Sequence, residues 1–129
     1  MARVLMSIKP AYVKEILNGN KRFEFRKTLC KRKVSSLLIY ATAPIKKVVA
    51  EIQVSAVLND TPSEIWKKTS YAAGISKEQF DKYFCNCSVA VAYSLGEIKQ
   101  YNTPLPLDYF GIRYAPQSYC YLPDTDAYK

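Results

Sequence analysis

Three polar side chains within one short stretch of the sequence are of types that could do chemistry. In GNKRFEFR, residues 19–26, Lys21 offers an amine, Glu24 a carboxylate and Arg26 a guanidinium. A desolvated lysine or glutamate can act as a base, and the planar guanidinium matches a phosphate or a carboxylate. The three side chains can therefore form a structural ion-pair cluster, a binding site or an active centre. The residue types alone leave all three interpretations open.

Histidine is absent from the 129 residues, and its absence limits the chemistry that the chain can use. Ser-His-Asp and Cys-His devices are excluded, so acid-base catalysis must rely on Lys, Glu, Asp, Tyr or Cys. The four cysteines lack the paired spacing of a zinc site. We therefore expect reduced thiols, with neither a metal nor a cofactor.

Positive charge is concentrated in the first part of the chain. Residues 1–50 carry twelve Lys or Arg against two acids, a net of +10, whereas residues 51–129 carry seven basic and nine acidic residues, a net of −2. A localised positive field suits a polyanion such as RNA or DNA, although a lysine-rich surface without a partner is the plain alternative. The residues expected to contact phosphates are Lys27, Lys31, Arg32, Lys33, Lys46 and Lys47.

The elements that must position Lys21, Glu24 and Arg26 follow from the spacing of apolar residues. Residues 10–18 have one apolar helical face, with Pro10 in the first turn and Gly19 just past the end, so a short helix ends directly before Lys21. Residues 22–27 alternate and predict a strand. Its two faces are Arg22, Glu24 and Arg26 on one side and Phe23 and Phe25 on the other.

The rest of the chain mixes strands with short helices. Further strands are predicted over residues 3–8, 37–43, 48–58, 88–98 and 116–122. Two more helices are expected, one beginning at Thr61 or Ser63 and one capped by Ser76. This mixed order favours an α+β fold, a small, mostly antiparallel β-barrel decorated with about three short helices.

The length and the hydropathy pattern predict the organisation of the chain. We expect a single domain over residues 1–122, followed by a frayed tail over residues 123–129. No apolar stretch approaches the ~20 residues that a membrane span needs, and the first residues do not resemble a signal peptide. The expected location is therefore the cytoplasm, with no membrane partner. The sequence does not predict an oligomeric state.

The series Gly19, Lys21, Glu24 and Arg26 resembles the G-x-K-x-x-E-x-R motif of the ASCH domain family. The segments SIKP, YATAPIKKVVAEI and APQSYCYL are similar to one prokaryotic branch of that family, labelled a predicted transcriptional regulator. The resemblance covers roughly residues 3 to 122. It implies a barrel like that of the PUA RNA-binding domain, with a cleft near the motif suited to RNA or to a nucleobase-like small molecule.

The same resemblance implies two enzymatic activities of the wider family: hydrolysis of N4-acylated cytidines and cleavage of RNA. The hydrolase branch has a threonine where this chain has Glu24, so the matching hydroxyl nucleophile is absent here. If the chain is an enzyme, its expected catalytic residues are Lys21, Glu24 and Ser118, with Lys21 serving as the base for Ser118 or acting together with Glu24.

The leading interpretation is an RNA- or nucleotide-binding module, with a regulatory role open. Tyr40 can stack a base, and Gln117 or Ser118 can bind its edge. The full set expected to bind a ligand or nucleic acid is Lys9, Lys21, Glu24, Arg26, Tyr40, Thr42, Gln117 and Ser118. The alternatives are a small hydrolase acting on RNA or a modified nucleoside, and an adaptor whose basic face meets an acidic protein.

Overall fold

The computed structural model describes residues 2–123, and six strands and three α-helices lie within that range. The strands are β1 (Ala2–Ile8), β2 (Phe23–Arg26), β3 (Val34–Ala41), β4 (Lys47–Asp60), β5 (Ala90–Leu105) and β6 (Tyr119–Tyr121). The helices are α1 (Pro10–Leu17), α2 (Pro62–Thr69) and α3 (Lys77–Tyr83). None of these helices is long and apolar enough to cross a membrane. Most of the predicted tail, residues 124–129, lies outside the described residues.

The six strands form one mixed sheet in the order β2-β5-β4-β3-β1-β6. Only β1 and β3 run parallel, and the other neighbouring pairs are antiparallel. The sheet curls, and Arg26 on edge strand β2 reaches the Ser7 carbonyl on β1, the strand next to the other edge, at 3.2 Å. We call the gap between β2 and β1 the seam. The curled half-barrel with three short helices confirms the predicted α+β, mostly antiparallel barrel fold.

Alternation along the strands directs side chains to two sides of the curled sheet. The concave side holds the largest apolar cluster, which includes Met6, Leu37, Ile39, Ile52 and Tyr93. A second cluster on the convex side packs Phe23 and Phe25 of β2 against Ile65 of α2 and Phe80 of α3. A third cluster joins Leu5, Leu38 and Tyr40 to Phe110 and Leu122 near the end of the chain. The phenylalanines of the motif strand are thus core residues.

Strand β5 is longer than the alternation over residues 88–98 predicts. It continues to Leu105, which pairs with Val48 on β4 after a register shift, and so it includes Pro104. Proline lacks an N–H, so the sequence indicates a loop here. Pairing with the long neighbouring strand β4 overrides that local signal.

The helix starts agree with the expected caps. The Ser76 side chain accepts from the Gln79 backbone N–H at 3.1 Å, and the Gln79 side chain accepts from the Ser76 N–H at 2.9 Å, a capping box at the start of α3. Thr61 caps α2 by accepting from Glu64. Helix α1 has Pro10 at its first position and ends before Gly19, where φ is +87°. The helix therefore ends at Leu17, four residues before Lys21.

Candidate functional site

A cavity of about 220 Å³ lies at the seam. Its walls come from the end of β1, the start of α1, the segment Lys21–Arg26 and helix α3, which are far apart in sequence. The lining residues are Ser7, Ile8, Lys9, Tyr12, Lys21, Glu24, Phe25, Arg26, Ile75, Gln79 and Tyr83. All three polar members of the motif therefore share one cavity, which we call the seam cavity.

Lys21 is only 3% exposed, and its amine is held within the seam cavity. Nζ donates a hydrogen bond to the Ala73 carbonyl at 3.0 Å and lies 4.6 Å from the centre of the Phe25 ring. The Tyr12 ring is slightly farther from Nζ, at 5.7 Å. An aromatic face attracts a cation, so the two rings partly replace the water that the ammonium has lost.

The close approach of Gly74 determines where the lysine side chain can lie. Gly74 has φ +70°, and a Cβ built there would overlap the Cβ and Cγ of Lys21. Only glycine leaves room for the lysine stem at this point and adopts the backbone conformation without strain. The Ala73–Gly74 pair thus both confines the stem and accepts the hydrogen bond from the amine.

Burial lowers the pKa of the Lys21 amine below its usual value of 10.5, because burial disfavours the charged form. The nearby Glu24 carboxylate opposes this shift, and the Arg26 guanidinium adds to it. The result is an amine that releases its proton more readily than a lysine in water. Such an amine can accept a proton from a substrate hydroxyl or act as a nucleophile.

Glu24 forms its ion pair with Arg26, at 2.9 Å between Oε2 and Nη2. Their side chains are 9% and 14% exposed, respectively. Arg26 also donates to the Ser118 Oγ at 3.0 Å and to the Ser7 carbonyl at 3.2 Å. Arg26 therefore links edge strand β2 to both β1 and the residues before β6.

One donor of Arg26 remains available within the described part of the chain. Its Nε is buried and has no hydrogen-bond partner there. A buried donor without a partner carries a desolvation cost, and an anionic or carbonyl ligand in the cavity could satisfy it. The guanidinium thus joins the two sides of the seam, and one of its N–H groups is left without a partner among the described residues.

Helix α3 contributes two polar residues that the sequence did not indicate. Gln79 and Tyr83 line the seam cavity together with Ser7 and Ile8 of β1. Burial raises the pKa of the Tyr83 hydroxyl above 10.0, with Arg26 opposing the shift and Glu24 adding to it. The Ser76 cap reveals where α3 begins, but no local pattern reveals which strand the helix covers. Tyr12 also lines the cavity, although its helical spacing predicts only a buried face.

The other expected binding residues are distributed unevenly around the cavity. Lys9 is exposed and lines the cavity, and Ser118 contacts Arg26. Thr42 is bound through its backbone N–H to the Ile8 carbonyl at 3.1 Å, next to the lining, and Gln117 is exposed beside Ser118. Tyr40 is only 6% exposed and packs in the third apolar cluster, so the structure does not bring it to the seam cavity.

The residues expected to contact phosphates are all exposed, and they lie at three places. Lys27 lies beside the seam cavity with its amine 5.0 Å from the centre of the Tyr83 ring. The next three, Lys31, Arg32 and Lys33, line a separate cavity. Lys46 and Lys47 lie at the turn between β3 and β4.

No metal ligand set is present in residues 2–123, where no three of the Cys, Asp and Glu side chains are grouped suitably for an ion. All four cysteines are free thiols. Cys30 is buried and Cys85 exposed, and the other two are half-buried. Among the residues that the structure describes, Glu24 is the one acid in the lining of the seam cavity.

Comparison with protein families places residues 6–97 in the family described as the ASCH domain. Among curated proteins, the chain is 30% identical over 105 residues to an ASCH domain-containing ribonuclease of Zymomonas mobilis, covering 81% of this chain and 70% of that protein. It is also 30% identical over 120 residues to the large ribosomal subunit protein uL22 of Ureaplasma parvum. That match covers 92% of this chain but spans only 39% of the Ureaplasma protein.

Solved structures give the same result for the fold. The crystal structure of ASCH from Zymomonas mobilis superposes with a TM-score of 0.86 at 26% identity, covering 98% of this chain and 91% of that one. A tyrosine-to-phenylalanine mutant of the same protein gives a TM-score of 0.87 at 25% identity, covering 98% and 94%. With the family match over most of its length and the fold in agreement, the chain belongs to the ASCH domain family.

Proposed function

We propose that this chain binds RNA at the seam cavity and cleaves its backbone there, with Lys21 as the reacting group. Three features support the proposal: the localised positive charge, the polar cavity at the motif, and the similarity to an ASCH domain-containing ribonuclease. The cavity, at about 220 Å³, is smaller than the ~300–1,000 Å³ of sites for drug-sized ligands. It suits one base or one phosphate, with the rest of the strand outside.

The observation that carries the proposal is the buried Lys21 amine without a carboxylate of its own. Glu24, the acid in the same cavity, pairs with Arg26 instead, and among residues 2–123 the ammonium contacts the Ala73 carbonyl and two aromatic rings. A buried lysine in this state destabilises the folded chain when it is charged. Strongly perturbed ionisable groups in clefts are characteristic of functional sites.

The chemistry that such an amine supports is transesterification of the RNA backbone. The free amine of Lys21 accepts the proton of a ribose 2′-hydroxyl, and the 2′-oxygen attacks the adjacent phosphorus. The bond from phosphorus to the 5′-oxygen breaks, and that oxygen takes up the proton removed from the 2′-hydroxyl. The products are a 2′,3′-cyclic phosphate and a 5′-hydroxyl end. Arg26 lines the same cavity, and its Nε has no hydrogen-bond partner among residues 2–123, so we assign the guanidinium the role of binding a phosphate oxygen.

Two interpretations remain as alternatives to cleavage. The first is an RNA-binding module, which would bind RNA in the same cavity without cleaving it. The regulatory role implied by the resemblance belongs to this alternative. A nucleoside amidohydrolase would need another nucleophile, since Glu24 stands where the hydrolase branch has threonine. Ser118 Oγ is the candidate nucleophile, and it already accepts a hydrogen bond from Arg26.

A paired measurement on Lys21→Met tests the proposal. Methionine keeps much of the stem while removing the amine, so binding that depends on the other groups should persist. We expect the wild type to cleave single-stranded RNA to cyclic-phosphate products and the variant to lose at least about a hundredfold in rate, the scale of general-base catalysis. Fluorescence titration and product analysis are carried out on the same samples.

Lys67→Met is the matched control, because Lys67 is an exposed lysine on α2 outside the seam cavity. Its cleavage rate should equal that of the wild type. Binding of RNA by the wild type without any product would reject cleavage and leave the binding module. Equal cleavage by Lys21→Met and the wild type would reject Lys21 as the reacting group.

A further inference from the structure

A second, larger cavity of about 660 Å³ lies between the basic loop after β2 and the C-terminal half of β4. Three consecutive cations line it, Lys31, Arg32 and Lys33, and no acidic residue within residues 2–123 does so. Leu29 and Val57 also line it and are 46% and 38% exposed, so they offer apolar surface next to the charges. Cations beside exposed apolar side chains suit a ligand that has both phosphates and bases.

A small cavity of about 150 Å³ lies between the seam cavity and this second cavity. It shares Arg26 and Tyr83 with the seam cavity and Cys30 with the second cavity. Lys27 and Ser118 also line it. The three cavities are therefore neighbours in series, and basic residues occur in each of them.

Two of the cations along this series are held by tyrosine rings. The Lys27 amine lies 5.0 Å from the centre of the Tyr83 ring, and the Arg32 guanidinium lies 4.9 Å from that of Tyr121. The Tyr121 hydroxyl also accepts a hydrogen bond from the Arg32 backbone N–H at 3.1 Å. A cation that is already positioned loses less conformational entropy when a phosphate binds.

We infer that a single RNA strand bound in the seam cavity continues past Lys27 and into the second cavity, where Lys31, Arg32 and Lys33 bind its phosphates. This inference rests on the proposed function and adds to it a substrate class: extended single-stranded RNA rather than a free nucleotide. The second cavity falls within the ~300–1,000 Å³ range of small-molecule sites, so it can receive one or more unstacked nucleotides.

The test compares a dinucleotide with an RNA of about ten nucleotides, a length typical of single-strand binding sites. The test variant is Lys31→Ala/Arg32→Ala/Lys33→Ala. The control is Lys67→Ala/Lys77→Ala/Lys99→Ala, which removes three exposed cations outside all three cavities. Affinity is measured by fluorescence anisotropy over a series of salt concentrations.

We expect the longer RNA to bind the wild type more tightly than the dinucleotide does. The triple loop variant should bind the longer RNA at least about tenfold more weakly at ~0.15 M salt, with a salt slope smaller by about 2, since each lost phosphate contact removes ~0.7. Its affinity for the dinucleotide should be unchanged. The control should behave as the wild type does with both ligands.

A second variant, Lys31→Ala/Lys33→Ala, keeps the contact of Arg32 with Tyr121. It allows the same test if the triple variant does not fold. Its salt slope should fall by about 1.4. Equal binding of the longer RNA by the loop variants and the control would overturn the inference, as would equal binding of both RNA lengths by the wild type. A normal length dependence with no cleavage product would overturn the proposed cleavage alone. No RNA binding by the wild type would overturn both.

Discussion

Gly74 lies directly against the side chain of Lys21, although the two are 53 positions apart along the chain. A Cβ at position 74 would overlap the Cβ and Cγ of the lysine. The preceding residue, Ala73, accepts the hydrogen bond from the Lys21 amine at 3.0 Å. The segment between α2 and α3 thus sets both the path of the lysine stem and the position of its amine in the seam cavity.

Replacing Gly74 by alanine should displace Lys21 from the cavity. The change adds the steric overlap to the strain of a residue with φ +70°, a strain of order 1–3 kcal/mol. We expect lower stability and loss of RNA cleavage. Gly111→Ala is the control, because Gly111 has φ +73° but nothing within 4 Å of its built Cβ. Thermal unfolding should show a loss of stability in both variants that is larger in Gly74→Ala, and product analysis should show lost cleavage only in Gly74→Ala.

The buried amine of Lys21 predicts a pH dependence of stability. Its folded-state pKa lies below the ordinary 10.5, so between the two values the unfolded chain binds the extra proton and the free energy of unfolding rises with pH. Lys21→Met lacks this dependence. The stability of the wild type relative to that variant should therefore improve as the pH approaches 10.5. Denaturant titrations of both proteins at several pH values measure the difference, and a constant difference would contradict the lowered pKa.

Breaking the pair of Glu24 and Arg26 should destabilise the seam. Arg26→Ala leaves a carboxylate that is only 9% exposed without its partner, which costs about 3 kcal/mol for a buried pair. Ser118→Ala removes only one hydrogen bond from Arg26 at an exposed residue and should cost no more than about 1 kcal/mol. Chemical denaturation measures both, and equal costs would contradict this role of the ion pair.

Phe80 should be needed both for stability and for the cavity. It is 1% exposed and its ring packs against those of Phe25 and Trp66, so it attaches the seven-residue helix α3 to β2. Phe80→Ala should cost about 3–5 kcal/mol. Phe110→Ala is a matched control, since Phe110 is 3% exposed in the third cluster, which contributes no residue to the seam cavity lining.

Both phenylalanine variants should unfold at lower denaturant concentration than the wild type. Only Phe80→Ala should also weaken RNA cleavage under conditions where the protein remains folded, because α3 carries Gln79 and Tyr83 into the cavity wall. Circular dichroism confirms the folded state during the assay. Equal activity of the two variants would contradict the positioning role of Phe80.

The sequence by itself determined the local features of this site. The apolar spacing over residues 10–18 and the following glycine predict a helix that ends just before Lys21, and the alternation of β2 predicts that Phe23 and Phe25 are core residues. Ser76 and Gln79 predict the start of α3. These features depend on interactions between residues a few positions apart. Such interactions can be read from the regular spacing of apolar residues and from the residue types at helix caps.

Only the tertiary structure decided which residues meet at the seam. Arg26 reaches Ser118 across 92 residues, Lys21 reaches Ala73 across 52, and Tyr83 shares the cavity lining with the end of β1. The strand pattern shows Tyr40 as buried, but the curl of the sheet decides that it faces the third cluster rather than the cavity. The spacing of apolar residues shows which side of a helix or strand is buried. Which other element covers that side depends on the packing of the whole chain.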